Sequence, residues 1–262
     1  SWKGQQSESV SLYEGLLQHI SKEAIVLKTI DCSIKETPKD WLTDLNDVDV
    51  IIAAFGESSY MSGEGASRSN IKLPSEQIQL IKNLRTLKKP IALTLFNGRP
   101  LDLTDSVDEV ASIIETWFPG TEAGSAVANV LYGKKNPSGK LTMSFPKAVG
   151  QVPLYYNQDN TGRPLTAFNQ EDKYLSRYLD VENRPLFPFG YGLSYTRFDY
   201  SPMQISVTKS AKSQDDEVKL ALTIKNSGEL AGAEVVQLYS RDKVGKVVRP
   251  IKELKRFKKI FL

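Results

Sequence analysis

A long polar loop, Gly56-Glu57-Ser58-Ser59-Tyr60-Met61-Ser62-Gly63-Glu64-Gly65-Ala66-Ser67-Arg68-Ser69-Asn70-Ile71, carries the residues best suited to chemistry. Glu64 stands between two glycines, which admit backbone conformations that other residues resist and leave its carboxyl room to project toward a ligand. Arg68 follows four residues later, placed to orient that acid or to bind a ligand's hydroxyls. A carboxylic acid presented this way suits proton donation to a leaving oxygen. Glycosidic bonds are cleaved by two carboxyls, one serving as acid and base and the other as nucleophile or as base for water. The pattern alone also fits a solvated loop glutamate, and it leaves Glu57 as a rival acid.

Other chemistries are excluded more firmly. One Cys and one His are present, Cys32 and His19, so neither an internal disulfide nor a zinc site of Cys and His can be assembled. A Ser–His or Cys–His nucleophile would need His19, which falls in residues 13–20, a stretch with the pattern of a surface helix; the residue reads as solvent-facing or structural. No Gly-Lys pair completes a phosphate-binding P-loop, and Gly63-Glu64-Gly65 stops short of a dinucleotide fingerprint while placing an acid where phosphate would sit. The residues imply no cofactor and no metal. A net charge of +3 over 262 residues gives no basis for a nucleic-acid partner. No apolar run reaches the roughly 18 residues of a membrane helix. With 40 % apolar and 25 % charged residues the chain is globular rather than disordered.

The elements around the loop read as an α/β layer. Val10, Tyr13, Leu16, Leu17 and Ile20 recur at helical spacing over residues 8–20, and residues 24–30 read as a strand. Residues 48–55 are nearly all apolar, the mark of a strand buried on both faces of a parallel sheet. Pro74 and Ser75 open a helix with Ile78, Ile81, Leu84 and Leu87 on one face, which Pro90 stops before a buried strand at 91–95. Residues 107–117 mix a helical start with a strand end, and Gly120-Thr121-Glu122 opens a helix through Leu131 with Gly133 past its end. The alternation predicts an α/β layered sandwich with a mostly parallel sheet over residues 1–145. Asn136-Pro137-Ser138-Gly139 reads as a turn before a strand at 140–143, and Gly98 and Pro100 as turn residues with Arg99 tying a loop down.

Residues 146–200 crowd Pro, Gly, Tyr and Phe into an extended linker whose rings fill a domain interface, the alternative being a platform for sugar rings. From Ile205 the period becomes two, through Val218, Leu220, Leu222 and Ile224, a turn at Asn226-Ser227-Gly228, and residues 235–239. Residues 201–262 therefore read as a partial antiparallel β-sandwich of immunoglobulin-like type. Nine Lys and Arg against two acids in residues 241–262 interrupt short apolar runs, as lysines guarding strand edges do. The chain begins Ser1-Trp2-Lys3, with neither Met nor a signal-peptide core, and ends inside an apolar alternation, which reads as a piece of a longer polypeptide.

A series of short motifs then occurs in one order: Ser62-Gly63-Glu64-Gly65 with Ser67-Arg68, Leu73-Pro74 with Gln77, Asn97-Gly98-Arg99-Pro100, and Trp117-Phe118-Pro119-Gly120-Thr121-Glu122. Asn136-Pro137-Ser138-Gly139-Lys140-Leu141, Ser144-Phe145-Pro146, Asn160-Thr161-Gly162-Arg163-Pro164 and Phe187-Pro188-Phe189-Gly190-Tyr191-Gly192-Leu193-Ser194-Tyr195 complete it. Over nearly its whole length the chain resembles the C-terminal half of glycoside hydrolase family 3 enzymes of the bacterial β-glucosidase type. The resemblance implies an α/β sandwich followed by part of a fibronectin-III-like module. A (β/α)8 barrel carrying the nucleophilic aspartate would lie N-terminal to Ser1.

It further implies that Glu64 is the acid/base of a retaining, exo-acting β-glycosidase, about 5–5.5 Å from that aspartate in the intact enzyme. Glu57 ranks below it, as half of a structural Gly-Glu pair. Met61, Ser62 and Arg68 are the further candidates for sugar contact. The implied partners are a β-linked glucoside or oligosaccharide and the barrel, the implied compartment is periplasmic or extracellular, and the chain alone is expected to be inactive. The alternative is a non-catalytic carbohydrate-binding or interaction module of the same fold.

Overall fold

The computed structural model describes residues 9–20, 41–209 and 216–262. The strand expected at 24–30 and Cys32 lie outside them. The first element among the described residues is a short helix, α1 (Leu12–Leu17), where the sequence pattern extends over 8–20. Ser11 caps it through a reciprocal capping box with Glu14, the Ser11 N–H donating to Glu14 Oε2 at 2.8 Å. His19 lies beyond the helix, with its ring 5.4 Å from that of Tyr132.

Among the described residues, three parallel strands form the first sheet, β1 (Ile51–Gly56), β2 (Ile91–Phe96) and β3 (Ser112–Glu115), in the order β1-β2-β3. Central β2 buries Ile91, Leu93, Thr94 and Leu95 completely or nearly so, which is why its sequence is a continuous apolar run rather than an alternation. The first strand starts at Ile51, three residues later than its apolar run. The Ile51 N–H donates to the Pro90 carbonyl at 3.0 Å, and Pro90 has no N–H with which to extend the ladder upstream. Between β1 and β2 runs α2 (Ser75–Arg85), which buries Ile81 and Leu84 against the sheet. It ends before Leu87, because Thr86 turns its hydroxyl onto the Asn83 carbonyl at 2.6 Å and Lys88 adopts a left-handed conformation. The mixed character of residues 107–117 resolves into one 3₁₀ turn followed by β3. Next comes α3 (Ala123–Leu131), with Gly133 at φ 68° just past its end.

At Gly56, the last residue of β1, the backbone takes φ 144°, and a Cβ built there would fall 1.9 Å from the Phe96 carbonyl oxygen. Only glycine lets the two strand ends approach so closely. Gln77 on α2 closes the same spot from the other side, its amide oxygen accepting from the Gly56 N–H at 3.0 Å and its nitrogen donating to the Gly56 carbonyl at 3.2 Å.

The strand expected at residues 140–143 does not form a ladder. Phe145 bridges Phe187 instead, and Leu141 exchanges backbone hydrogen bonds with Tyr191 and Gly190. Pro188 sits between these contacts, so no continuous ladder can build on that side. Phe145 is buried between the rings of Trp117 and Phe187. Of the aromatics expected in an interface, Tyr156 stacks on Phe189 at 4.1 Å and meets Tyr239 edge-on, whereas Tyr155, Phe168 and Tyr174 project into solvent.

Antiparallel strands follow: β4 (Phe198–Tyr200) pairs with β7 (Ile224–Asn226), β5 (Gln204–Thr208) with β6 (Glu217–Ala221), and β8 (Ala233–Ser240) with β9 (Glu253–Phe261). The alternating run at 218–224 breaks at Leu222-Thr223, where the chain passes from pairing with β5 to pairing with β4. The expected α/β layer followed by antiparallel sandwich strands is the observed architecture.

Candidate active site

Because the strands of the first sheet are parallel, their carboxyl ends lie along one edge, and the loops leaving that edge meet. Glu57 follows β1, Asn97-Gly98-Arg99 follows β2, and Glu115 closes β3. The long loop carrying Glu64 begins at the same edge.

Within that loop Glu64 sits in a tight turn. The Ala66 N–H donates to the Gly63 carbonyl at 3.2 Å, leaving Glu64 and Gly65 as the two central residues. Gly65 has φ 73° with open space around the position of a Cβ. Its glycine is therefore required by the left-handed turn conformation, not by crowding. The Glu64 side chain is exposed, at the tip of the turn.

Beneath the turn lies Glu57, whose side chain is closed off from solvent. One of its oxygens is 2.7 Å from Arg68 Nη1 and 2.9 Å from Arg99 Nε, and the other accepts from the Gly98 N–H at 3.1 Å. Two cations and a backbone donor around one buried carboxylate give the compensation that burial of the charge requires. Both arginines continue to the loop backbone. Arg68 Nη2 donates to the Lys72 carbonyl at 3.0 Å, and Arg99 Nη2 donates to the carbonyls of Met61 and Ala66 at 2.6 and 2.9 Å.

A second, half-buried acid adjoins this cluster. Glu115 accepts from the Trp117 N–H at 2.9 Å and from Asn97 Nδ2 at 3.2 Å, and burial raises its pKa from 4.5 to about 7 against the pull of those two bonds. The same Asn97 nitrogen donates to the Arg99 carbonyl at 2.9 Å, so Glu115 also steadies the turn that carries Arg99. At Gly98 a Cβ would come 2.0 Å from the Ser62 hydroxyl and 2.7 Å from the Phe118 ring. The Glu64 loop lies directly on that turn.

The structure thus gathers the residues singled out in the sequence at one sheet edge, in roles that differ from one to the next. Glu64 points outward. Arg68 pairs with Glu57 and the loop backbone; it keeps 19 % of its side chain exposed. Met61 and Ser62 are half-buried, one through its carbonyl on Arg99 and the other against Gly98. The exposed rings of Tyr60 and Phe118 belong to the same loops. Glu115 was not singled out. Its signal in the sequence is an acid that ends an apolar strand, Ile113-Ile114-Glu115, at the sheet edge where the other polar residues collect.

A family model described as the glycosyl hydrolase family 3 C-terminal domain matches residues 1–195, and one described as a fibronectin type III-like domain matches residues 234–262. The periplasmic beta-glucosidase of Salmonella typhimurium is 47 % identical over 214 residues, 82 % of this chain and 28 % of that protein. A beta-xylosidase of Formosa agariphila is 38 % identical over 257 residues, covering 97 % of this chain and 34 % of its own length. In structure, the beta-glucosidase of Listeria innocua superposes with a TM-score of 0.89 at 39 % identity, over 99 % of this chain and 35 % of that one. Its complex with glucose gives a TM-score of 0.88 at 40 % identity, over 99 % and 36 %. The chain spans about a third of the length of these relatives.

Proposed function

This chain belongs to glycosyl hydrolase family 3, as its C-terminal α/β domain followed by fibronectin type III-like strands, and from that premise we propose that it supplies the proton donor of a retaining β-glycosidase. The donor is Glu64. The nucleophile is an aspartate of a barrel that the longer relatives' lengths leave room for. The observation that carries the reading is the exposed Glu64 carboxyl at the tip of a glycine turn pinned to the sheet edge.

In the first step the aspartate carboxylate attacks the anomeric carbon. The bond to the glycosidic oxygen breaks, and the Glu64 proton passes to that oxygen as it leaves. In the second step the Glu64 carboxylate takes a proton from water while the water oxygen attacks the anomeric carbon. The carbon–aspartate bond breaks, and Glu64 is again protonated. Met61, Ser62 and Arg68, beside the turn, are the proposed contacts to the sugar. β-Linked glucosides are the proposed substrate class, since several relatives bear that name, with β-xylosides as the neighbouring specificity. The periplasm named for the Salmonella relative is the proposed compartment.

The test replaces Glu64 by Ala in the intact enzyme. Turnover of phenyl β-glucoside, whose leaving group needs a proton, should fall by about 10²–10⁴-fold. Formation of the glycosyl-enzyme from 2,4-dinitrophenyl β-glucoside, whose leaving group does not, should persist, and azide should restore its release. Equal losses on both substrates, with no azide effect, would remove Glu64 from the role.

A further inference from the structure

We propose that Arg99 is a positioning residue for the proton donor, an inference that rests on the reading of Glu64 above. One nitrogen of its guanidinium donates to two carbonyls that bracket Glu64 in the chain, Met61 at 2.6 Å and Ala66 at 2.9 Å. Ala66 is also the residue whose N–H closes the Glu64 turn onto Gly63. The grip therefore falls on the turn itself and on the segment that leads into it. On its other side Arg99 Nε lies 2.9 Å from the buried Glu57 carboxylate. Its own carbonyl is held by Asn97, which is tied in turn to Glu115 at the end of β3. The position of the outward-facing acid is thereby referred to the ends of β1, β2 and β3.

A structural strut would serve equally well wherever it crossed the loop. This one meets the loop on both sides of the acid, in a segment with no helix or strand of its own to fix it. Proton transfer requires placement of the donor to well under 1 Å. One Nη of a planar guanidinium holds two carbonyls at fixed angles while the same charge lies beside the Glu57 carboxylate, which the single ammonium of lysine cannot reproduce. Arg99 thus acts on the reaction through Glu64 and touches no reacting atom itself.

The experiment compares Arg99→Lys with the parent in the intact enzyme on the same two substrates. The variant should lose about 10–100-fold in kcat/KM on phenyl β-glucoside, and less than about threefold on 2,4-dinitrophenyl β-glucoside, which needs no proton. Glu57→Gln, which keeps an acceptor for Gly98 but removes the charge that holds Arg99 Nε, should show the same split at smaller size; it decides the matter if Arg99→Lys does not fold. Equal losses on both substrates, or none on either, would overturn the proposal. The same split in Glu64→Ala identifies the donor independently. Its absence there sinks the assignment of Glu64, whereas its presence there and absence in Arg99→Lys sinks only the role of Arg99.

Discussion

Glu57 and Arg68 meet at 2.7 Å with the carboxylate side chain shut away from solvent, so the acid that directly follows β1 is an anchor for the loop that carries Glu64. Replacing Glu57 by Ala would leave Arg68, Arg99 and the Gly98 N–H without their common acceptor. The expected cost is about 3 kcal/mol, the low end for a broken buried pair, since both arginines keep some access to water. Exposed Glu64 offers the contrast: Glu64→Ala should stay within about 0.5 kcal/mol of the parent. Urea unfolding of the two variants checks both figures, and comparable losses would mean that Glu57 is not the anchor.

Two glycines with positive φ should respond differently to alanine. At Gly56 the new methyl would meet the Phe96 carbonyl at 1.9 Å between paired strands held by Gln77, so neither backbone can give way. At Gly133, with φ 68° and open space around it, only the left-handed conformation is penalised. Gly133→Ala should cost about 1 kcal/mol and Gly56→Ala at least about 2 kcal/mol. Unfolding midpoints at a fixed denaturant slope measure the difference, and equal effects would refute the close approach at the sheet edge.

Glu115 makes stability depend on pH. Its carboxyl has a pKa of about 7 in the folded protein against 4.5 when freed, so the folded state binds the extra proton between those values. The stability that this proton confers is fully present below about pH 4.5 and is lost as pH rises through about 7, a change on the order of 3 kcal/mol. Glu115→Gln cannot ionise and should lack that component. The unfolding free energy of the variant relative to the parent should therefore rise by that amount between pH 4.5 and about pH 8. A difference that stays constant over the range would show that folding does not raise the pKa of Glu115.

The parallel sheet was legible in the sequence because a strand covered on both faces must be apolar at every position, and residues 51–55 and 91–95 are nearly so. The partners within the site were harder to read. Spacing set Arg68 beside Glu64, yet four residues have that meaning only on a helix, and this segment is a loop. Arg68 turns to Glu57 because the sheet edge, not the local chain, decides which charges meet. Arg99 was legible as a residue that ties a loop down, but not which loop, since the contact joins the ends of β1 and β2. The failed strand at 140–143 has the same origin: its partner across the chain contains Pro188, which no local pattern reveals.

The chain by itself should not hydrolyse aryl β-glucosides. Two carboxyls must face one anomeric carbon, and the loop's other acid, Glu57, is already bound by two arginines with no exposed surface. Purified and folded, the 262-residue chain should therefore release no nitrophenol above the rate in buffer. It should also bind glucose only weakly, because on the proposed reading the exposed Glu64 turn would supply only one side of a sugar pocket. Calorimetric titration with glucose separates this from the reading as a self-sufficient carbohydrate module, which requires tight binding by the chain alone. Turnover abolished by Glu64→Ala in this chain would place the nucleophile within it and refute the division of the two carboxyls between domains.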